Sequence, residues 1–266
     1  MIIIKTKIIK YLTIFFSFLT VFLFVIFIFP KDNQYIDSES GDNISNISSE
    51  ENNYILNQYS LISSKVIPYI VNAKVVIDGK EYLGEVIEDK GNGKTYHIKT
   101  NNNENWYEKY YVSILFNEEK QVEKLLDYEI ELYVNFSNFN IDSDYFIWVD
   151  LYRIETYLLH KKDGFYTLIK RFECATGKDL TPTKRGFYKI ENKGTHFYSR
   201  DNTYICYNFL QYSGSYLLHS FPYSLDKKIL DDSVGKRVSN GCVRFNFQDS
   251  KYLYDNIPLD TNIWIN

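Results

Sequence analysis

From about residue 65 onward the chain breaks into short runs in which apolar and polar residues alternate, parted by dipeptides that favour a reversal. Asp78-Gly79 separates 74–77 from 82–87, Gly91-Asn92-Gly93 separates that run from 95–100, and Asp163-Gly164 leads into 165–174. A period of two puts every second side chain on one face of a strand, and these dipeptides tolerate the positive φ that tight hairpins need. The pattern restricts the chain to mainly antiparallel sheet. It predicts a small all-β module over 63–116, a spacer or a weak wall-binding surface, with Trp106, Tyr107, Tyr110 and Tyr111 as its core rather than as a ligand-stacking face. Further strands are expected at 145–150, 153–160, 165–174, 186–190, 203–212, 215–219 and 262–265. Helical spacing appears twice, in a connecting helix over 118–135 within a linker region 117–143, and at 249–257 before Pro258. The stretch Thr181-Pro182-Thr183 reads as rigid and polar.

The N-terminal part is of another kind. Lys5, Lys7 and Lys10 precede an uncharged run of 19 residues, 11–29. At helical rise this spans about 28 Å, close to the hydrocarbon thickness of a bilayer. The run stays bulky to Ile28, Phe29 and Pro30, without the small residues of a cleavage site. The expectation is a cytoplasmic tail at 1–10 and an uncleaved transmembrane signal anchor at 11–30. The lipid bilayer is then a partner through 11–29, and the rest of the chain is extracytoplasmic in a single-pass cell-membrane protein. Residues 31–62, rich in Asp, Ser, Asn and Glu, read as a flexible stalk. A net charge of -4 and a pI near 5.7 leave no general basic surface, so no nucleic-acid partner is expected.

Chemistry concentrates in Val238–Phe245, V-S-N-G-C-V-R-F. A cysteine directly after a glycine on a short turn can expose its sulfur while backbone N–H groups converge on the atom it attacks. Cys242 is the candidate nucleophile, and the N–H groups of Gly241 and Cys242 are the candidate oxyanion donors. Upstream, His219 ends an apolar run and is the candidate base. A His brought to a Cys in this way is expected to lower the thiol pKa. Ser220, Ser239 and Asn240 are candidates for support of the His or the loop. Arg244 offers a planar fork for a substrate carboxylate. Cys174 and Cys206 sit in apolar, strand-like contexts that suit burial, and the sequence leaves open whether they pair. With no C-x-x-C, no H-E-x-x-H and no Gly-rich phosphate loop, neither a metal nor another cofactor is expected.

Residues 144–266 resemble the catalytic domain of the L,D-transpeptidases, the YkuD-like family of cell-wall cysteine enzymes. His219-Ser220 matches the first half of the family motif, and Ser239, Gly241, Cys242, Val243 and Arg244 match the second. The segment C-A-T-G-K-D-L-T-P-T-K-R-G-F-Y-K-I from Cys174 resembles another family stretch. Asn240 stands where most members have a second His, and the spacer from His219 to Ser239 holds 19 residues, slightly longer than usual. The resemblance implies a β-sandwich with small helices and a peptidoglycan stem peptide as donor. The Cys242 thiolate would attack the carbonyl of the third stem residue, commonly diaminopimelate, and release D-Ala from a thioester. A second stem's amine would then close a 3-3 cross-link, with His219 moving the protons. Two alternatives stand beside this: an L,D-carboxypeptidase that uses water as acceptor, and a non-catalytic cell-wall-binding protein.

Overall fold

The computed structural model describes residues 49–118 and 122–266. The candidate anchor at 11–30, the tail before it and most of the expected stalk lie outside the described residues. Among the described residues no helix is long and apolar enough to cross a membrane.

The first element is a helix, α1 (Ser49–Lys65), where the polar composition had suggested a flexible stalk as far as residue 62. Its C-terminal turns carry a short apolar stripe that composition conceals. Ile62 is buried, the Tyr59 ring stacks on Tyr133 at 5.9 Å, and Lys65 pairs with buried Glu129 at 2.6 Å. Tertiary packing rather than intrinsic propensity holds this end. From Tyr59 to Asn266 the chain forms one compact unit.

A five-stranded sheet comes first in that unit. Its strands are β1 (Asn72–Ile77), β2 (Lys80–Lys90), β3 (Thr95–Thr100), β4 (Glu104–Glu108) and β5 (Val112–Leu115), in the order β4-β3-β2-β1-β5. Asp78 and Gly79 supply the positive φ of the first hairpin. One face buries Val71, Ala73, Val75, Val86, Tyr96 and Ile98. The aromatic cluster expected as core is mostly outside it. Tyr110 is 89% exposed and Tyr111 47%, because a 3-10 turn at Lys109–Tyr111 swings them off the sheet. Trp106 on edge strand β4 is half-buried between the His97 ring and the Lys90 ammonium.

Helix α2 (Asp127–Phe136) occupies only the later part of the predicted 118–135. The Glu129 carboxylate accepts the Leu126 N–H at 2.8 Å and so fixes the start of the helix at Asp127. Ile130 and Val134 then face Phe146, Trp148 and Tyr157.

Two more sheets build the C-terminal sandwich. One runs β10 (Gly186–Lys189), β17 (Asn262–Ile265), β6 (Tyr145–Asp150), β7 (Glu155–Lys162), β8 (Phe165–Glu173). The other runs β11 (Asn192–Tyr198), β12 (Tyr204–Ser213), β13 (Tyr216–Ser220), β16 (Val243–Phe245), with β14 (Tyr223–Ser224) beside β12. Their facing sides share one core in which Ile147, Leu158, Leu210, Leu218, Val243 and Phe245 are completely buried. Each such side chain contributes about 1.5–3 kcal/mol. Helix α3 (Phe247–Asn256) starts where the Asn246 side chain accepts the Asp249 N–H at 2.8 Å, and it buries Leu253. Two short parallel strands, β9 (Thr176–Gly177) and β15 (Arg237–Ser239), lie beside the Cys242 turn.

Candidate active site

Strands β13 and β16 run parallel, with Leu218 beside Val243, His219 beside Arg244 and Ser220 beside Phe245. Side chains alternate along each strand, so Leu217, His219, Cys242 and Arg244 fall on one face, with His219 and Cys242 as diagonal neighbours. A sequence separation of more than twenty residues is closed by a pairing of three. On its other edge β16 is held by Ala175, whose N–H and C=O both bond Arg244 at 2.8 Å.

His219 is 4% exposed, and its Nδ1 lies 2.6 Å from the Ser220 carbonyl oxygen. A carbonyl can only accept, so Nδ1 carries the proton and Nε2 is left as the acceptor. The Phe197 ring meets the imidazole edge-on at 5.1 Å. Burial drives the His219 pKa down to about 3; the Ser220 bond opposes this and the Arg244 charge adds to it. The imidazole is neutral at any physiological pH.

Cys242 follows Gly241, whose φ of +105° puts it in the region that favours glycine. The sulfur is half-buried and donates to the Ser215 carbonyl at 3.6 Å. Burial raises its pKa to about 11, although the Leu217 N–H and the Arg244 charge both favour the thiolate. This corrects the expectation of a lowered thiol pKa. No hydrogen bond joins Nε2 to Sγ, so desolvation is not offset by an ion pair, and the resting pair is thiol and imidazole.

The turn is stapled from within. Ser239 Oγ donates to the Cys242 carbonyl at 2.5 Å and accepts the Gly241 N–H at 3.1 Å. The Gly241 N–H, one of the two expected oxyanion donors, is thus already engaged, and the Cys242 N–H has no hydrogen-bond partner among the described residues. Asn240 is exposed and makes no side-chain hydrogen bond among the described residues, so the support expected of its amide comes from Ser239 instead. Ser220 Oγ bridges strands, accepting from Tyr207 N and donating to Phe221 O, each at 2.8 Å. Its contribution to His219 is through its carbonyl.

Arg244, expected to meet a substrate carboxylate, has a partner in the chain: Nη1 bonds Asp231 Oδ2 at 3.0 Å. Cys174 and Cys206 are free, buried thiols, both pushed by burial to about 12. The groups that the sequence reading missed are the Ser215 carbonyl, the Leu217 N–H and Asp231. Two are backbone atoms, which no residue type reveals, and the third sits in a polar loop with nothing to mark it.

Residues 144–265 match the family model of the L,D-transpeptidase catalytic domain, YkuD. Over these residues the chain is similar to the L,D-transpeptidase catalytic domain. A relative with an L,D-transpeptidase name, YciB of Bacillus subtilis (strain 168), is 27% identical over 126 residues, or 45% of this chain and 65% of that protein. Among solved structures, a fused Zn-dependent amidase/peptidase/peptidoglycan-binding domain-containing protein from Clostridium acetobutylicum is 31% identical at a TM-score of 0.46. It covers 53% of this chain and 59% of its own. An L,D-transpeptidase from Mycobacterium smegmatis is 17% identical at a TM-score of 0.38, covering 46% and 58%. The chain therefore spans about three fifths of the length of these relatives. The parallel register of β13 and β16 and the stapled turn at Cys242 lie entirely within the matched residues.

Proposed function

We propose that the protein is a cysteine L,D-transpeptidase that cross-links peptidoglycan stems. The observation that carries this reading is the 2.6 Å contact of His219 Nδ1 with the Ser220 carbonyl, which leaves Nε2 unprotonated on the face shared with Cys242. Nε2 takes the Sγ proton as sulfur bonds to the carbonyl carbon of the third stem residue. The oxygen then carries the negative charge, and the Cys242 N–H is its donor, a role worth about 3–4 kcal/mol where such a donor has been removed elsewhere. Collapse breaks the bond to D-Ala, whose nitrogen receives the proton back from Nε2, and leaves a thioester. An amine of a second stem attacks the thioester, gives its proton to Nε2, and releases the thiol as the 3-3 link forms. Arg244, neutralised by Asp231, acts on the charges of this pair rather than on a substrate carboxylate. Lys5, Lys7 and Lys10 before the uncharged run at 11–29 support an anchor that presents the domain to the wall from the outer side of the membrane.

The test is product analysis with a purified tetrapeptide stem. A cross-linked dimer with D-Ala released, lost in Cys242→Ala, is the expected result. Tripeptide alone would make the protein a carboxypeptidase, and no turnover together with no covalent carbapenem adduct on Cys242 would leave only wall binding.

A further inference from the structure

We infer that the β1–β5 sheet is a working wall of this active site, and that Tyr216 is the positioning residue through which the sheet holds the Cys242 turn. The inference takes Cys242 as the nucleophile proposed above.

Tyr216 lies between the two residues whose backbone meets the sulfur, Ser215 through its carbonyl and Leu217 through its N–H. Its ring is packed so closely on the turn that a Cβ added at Gly241 would fall 2.8 Å from Tyr216 Cε1. Its hydroxyl reaches out of the sandwich to the end of β2, where it lies 3.3 Å from Asp89 N and 3.4 Å from Asp89 O. One ring therefore touches the nucleophile turn and the sheet at once.

A second connection reaches the same turn from the other side. The segment 178–185 passes under it, with Thr181 Oγ1 and Lys178 N both donating to the Ser239 carbonyl, at 3.1 and 3.3 Å. This is the stretch that the sequence marks as rigid and polar, and Thr181, Pro182 and Thr183 are buried. The sheet fastens this strap directly: Tyr96 OH donates to Leu180 O at 3.1 Å, and the Asp179 carboxylate accepts Tyr69 OH at 2.5 Å and Asn117 N at 2.8 Å. Lys184 pairs with Glu88 at 2.8 Å, and Arg185 pairs with Glu85. A mere spacer would not bind the two segments that position Ser239 and Gly241.

The test uses the full chain and two readouts that global stability does not set: the pH profile of Cys242 alkylation by iodoacetamide, and the rate of Cys242 acylation by a carbapenem. Tyr216→Leu is expected to slow acylation about 10–100-fold, the scale of a small misplacement of a reacting group. Tyr216→Phe, which keeps the ring against Gly241 and loses the hydroxyl contact to Asp89, should slow acylation by a smaller, severalfold factor. The pair Tyr69→Phe/Tyr96→Phe removes two hydroxyls remote from the sulfur and opens no side-chain-sized cavity; it is expected to slow acylation severalfold and displace the alkylation profile. Should Tyr216→Leu fail to fold, this pair decides alone. Acylation within about twofold of the unaltered protein, with an unmoved alkylation profile, would overturn the inference while leaving the nucleophile assignment standing. Failure of the unaltered protein to be alkylated or acylated at Cys242 would instead remove the assignment on which the inference rests.

Discussion

The neutral resting pair makes a quantitative demand on thiol reactivity. Burial lifts Cys242 from an ordinary 9.0 to about 11, which costs the thiolate about 2.7 kcal/mol relative to a free thiol. At pH 8 about one Cys242 in a thousand is then thiolate, against about one in ten for an unperturbed cysteine. Site-resolved alkylation with iodoacetamide, read by mass spectrometry from about pH 6 to 11, should therefore rise tenfold per pH unit without levelling until pH reaches about 11. Cys174 and Cys206 are buried and will not obscure the signal. His219→Ala sharpens the test. An imidazole that is uncharged above about pH 3 stabilises no thiolate, so its removal should leave the alkylation profile nearly in place. The same variant should slow carbapenem acylation by about 10²–10⁴, because attack on a carbonyl by a neutral thiol needs a base. A plateau near neutral pH, or a profile driven upward in His219→Ala, would reveal a resting thiolate–imidazolium pair and refute the reasoning.

Three further outcomes follow from the same geometry. His219 is neutral when folded and titrates near 6.5 when unfolded, so the unfolded chain binds the extra proton and stability falls as pH drops below 6.5. From pH 7 to 5 the loss is about 2 kcal/mol, and urea unfolding of His219→Gln should lack that part of the pH slope. Ser239→Ala removes the acceptor of the Gly241 N–H and the donor to the Cys242 carbonyl; it should cost about 1–3 kcal/mol in chemical denaturation and slow acylation more than alkylation. Asp231→Asn leaves Arg244 without its counter-charge, and the stronger positive field should shift Cys242 alkylation to lower pH.

Much of the fold was legible because alternation and turn residues act locally. The runs at Tyr145–Asp150 and Asn262–Ile265 became strands over those same residues, each a short, nearly continuous apolar run buried on both faces. Strand β11 was not expected, since N-K-G-T-H-F-Y has no alternation and is ordered by pairing with β12. Helix α1 was hidden for a similar reason: most of its residues are polar, and what orders its end is the surface offered by Tyr133 and Glu129 far along the chain. At the candidate site, residue types marked out Cys242 and His219, which β13 and β16 bring to one face, and the glycine marked the turn. The sign of the pKa shifts was misread because burial is a property of the assembled sandwich. Of the two adjacent residues expected to support the loop, Ser239 holds the turn, and Asn240 faces solvent.

In the mechanism proposed above, the position of Arg244 bears on how a neutral pair can work. Its charge favours the thiolate of Cys242 and disfavours the imidazolium of His219. Moving the proton from Sγ to Nε2 gains from the first effect and loses by the second. The two largely cancel, and Asp231 weakens both. The guanidinium therefore does not drive the proton transfer, and the drive has to come from bonding at the sulfur. As sulfur closes on a carbonyl carbon, negative charge passes from Sγ to the carbonyl oxygen, where the unengaged Cys242 N–H can meet it. A buried thiol of high pKa is then an advantage: the sulfur avoids a costly free thiolate, and the charge is created only where a donor already waits.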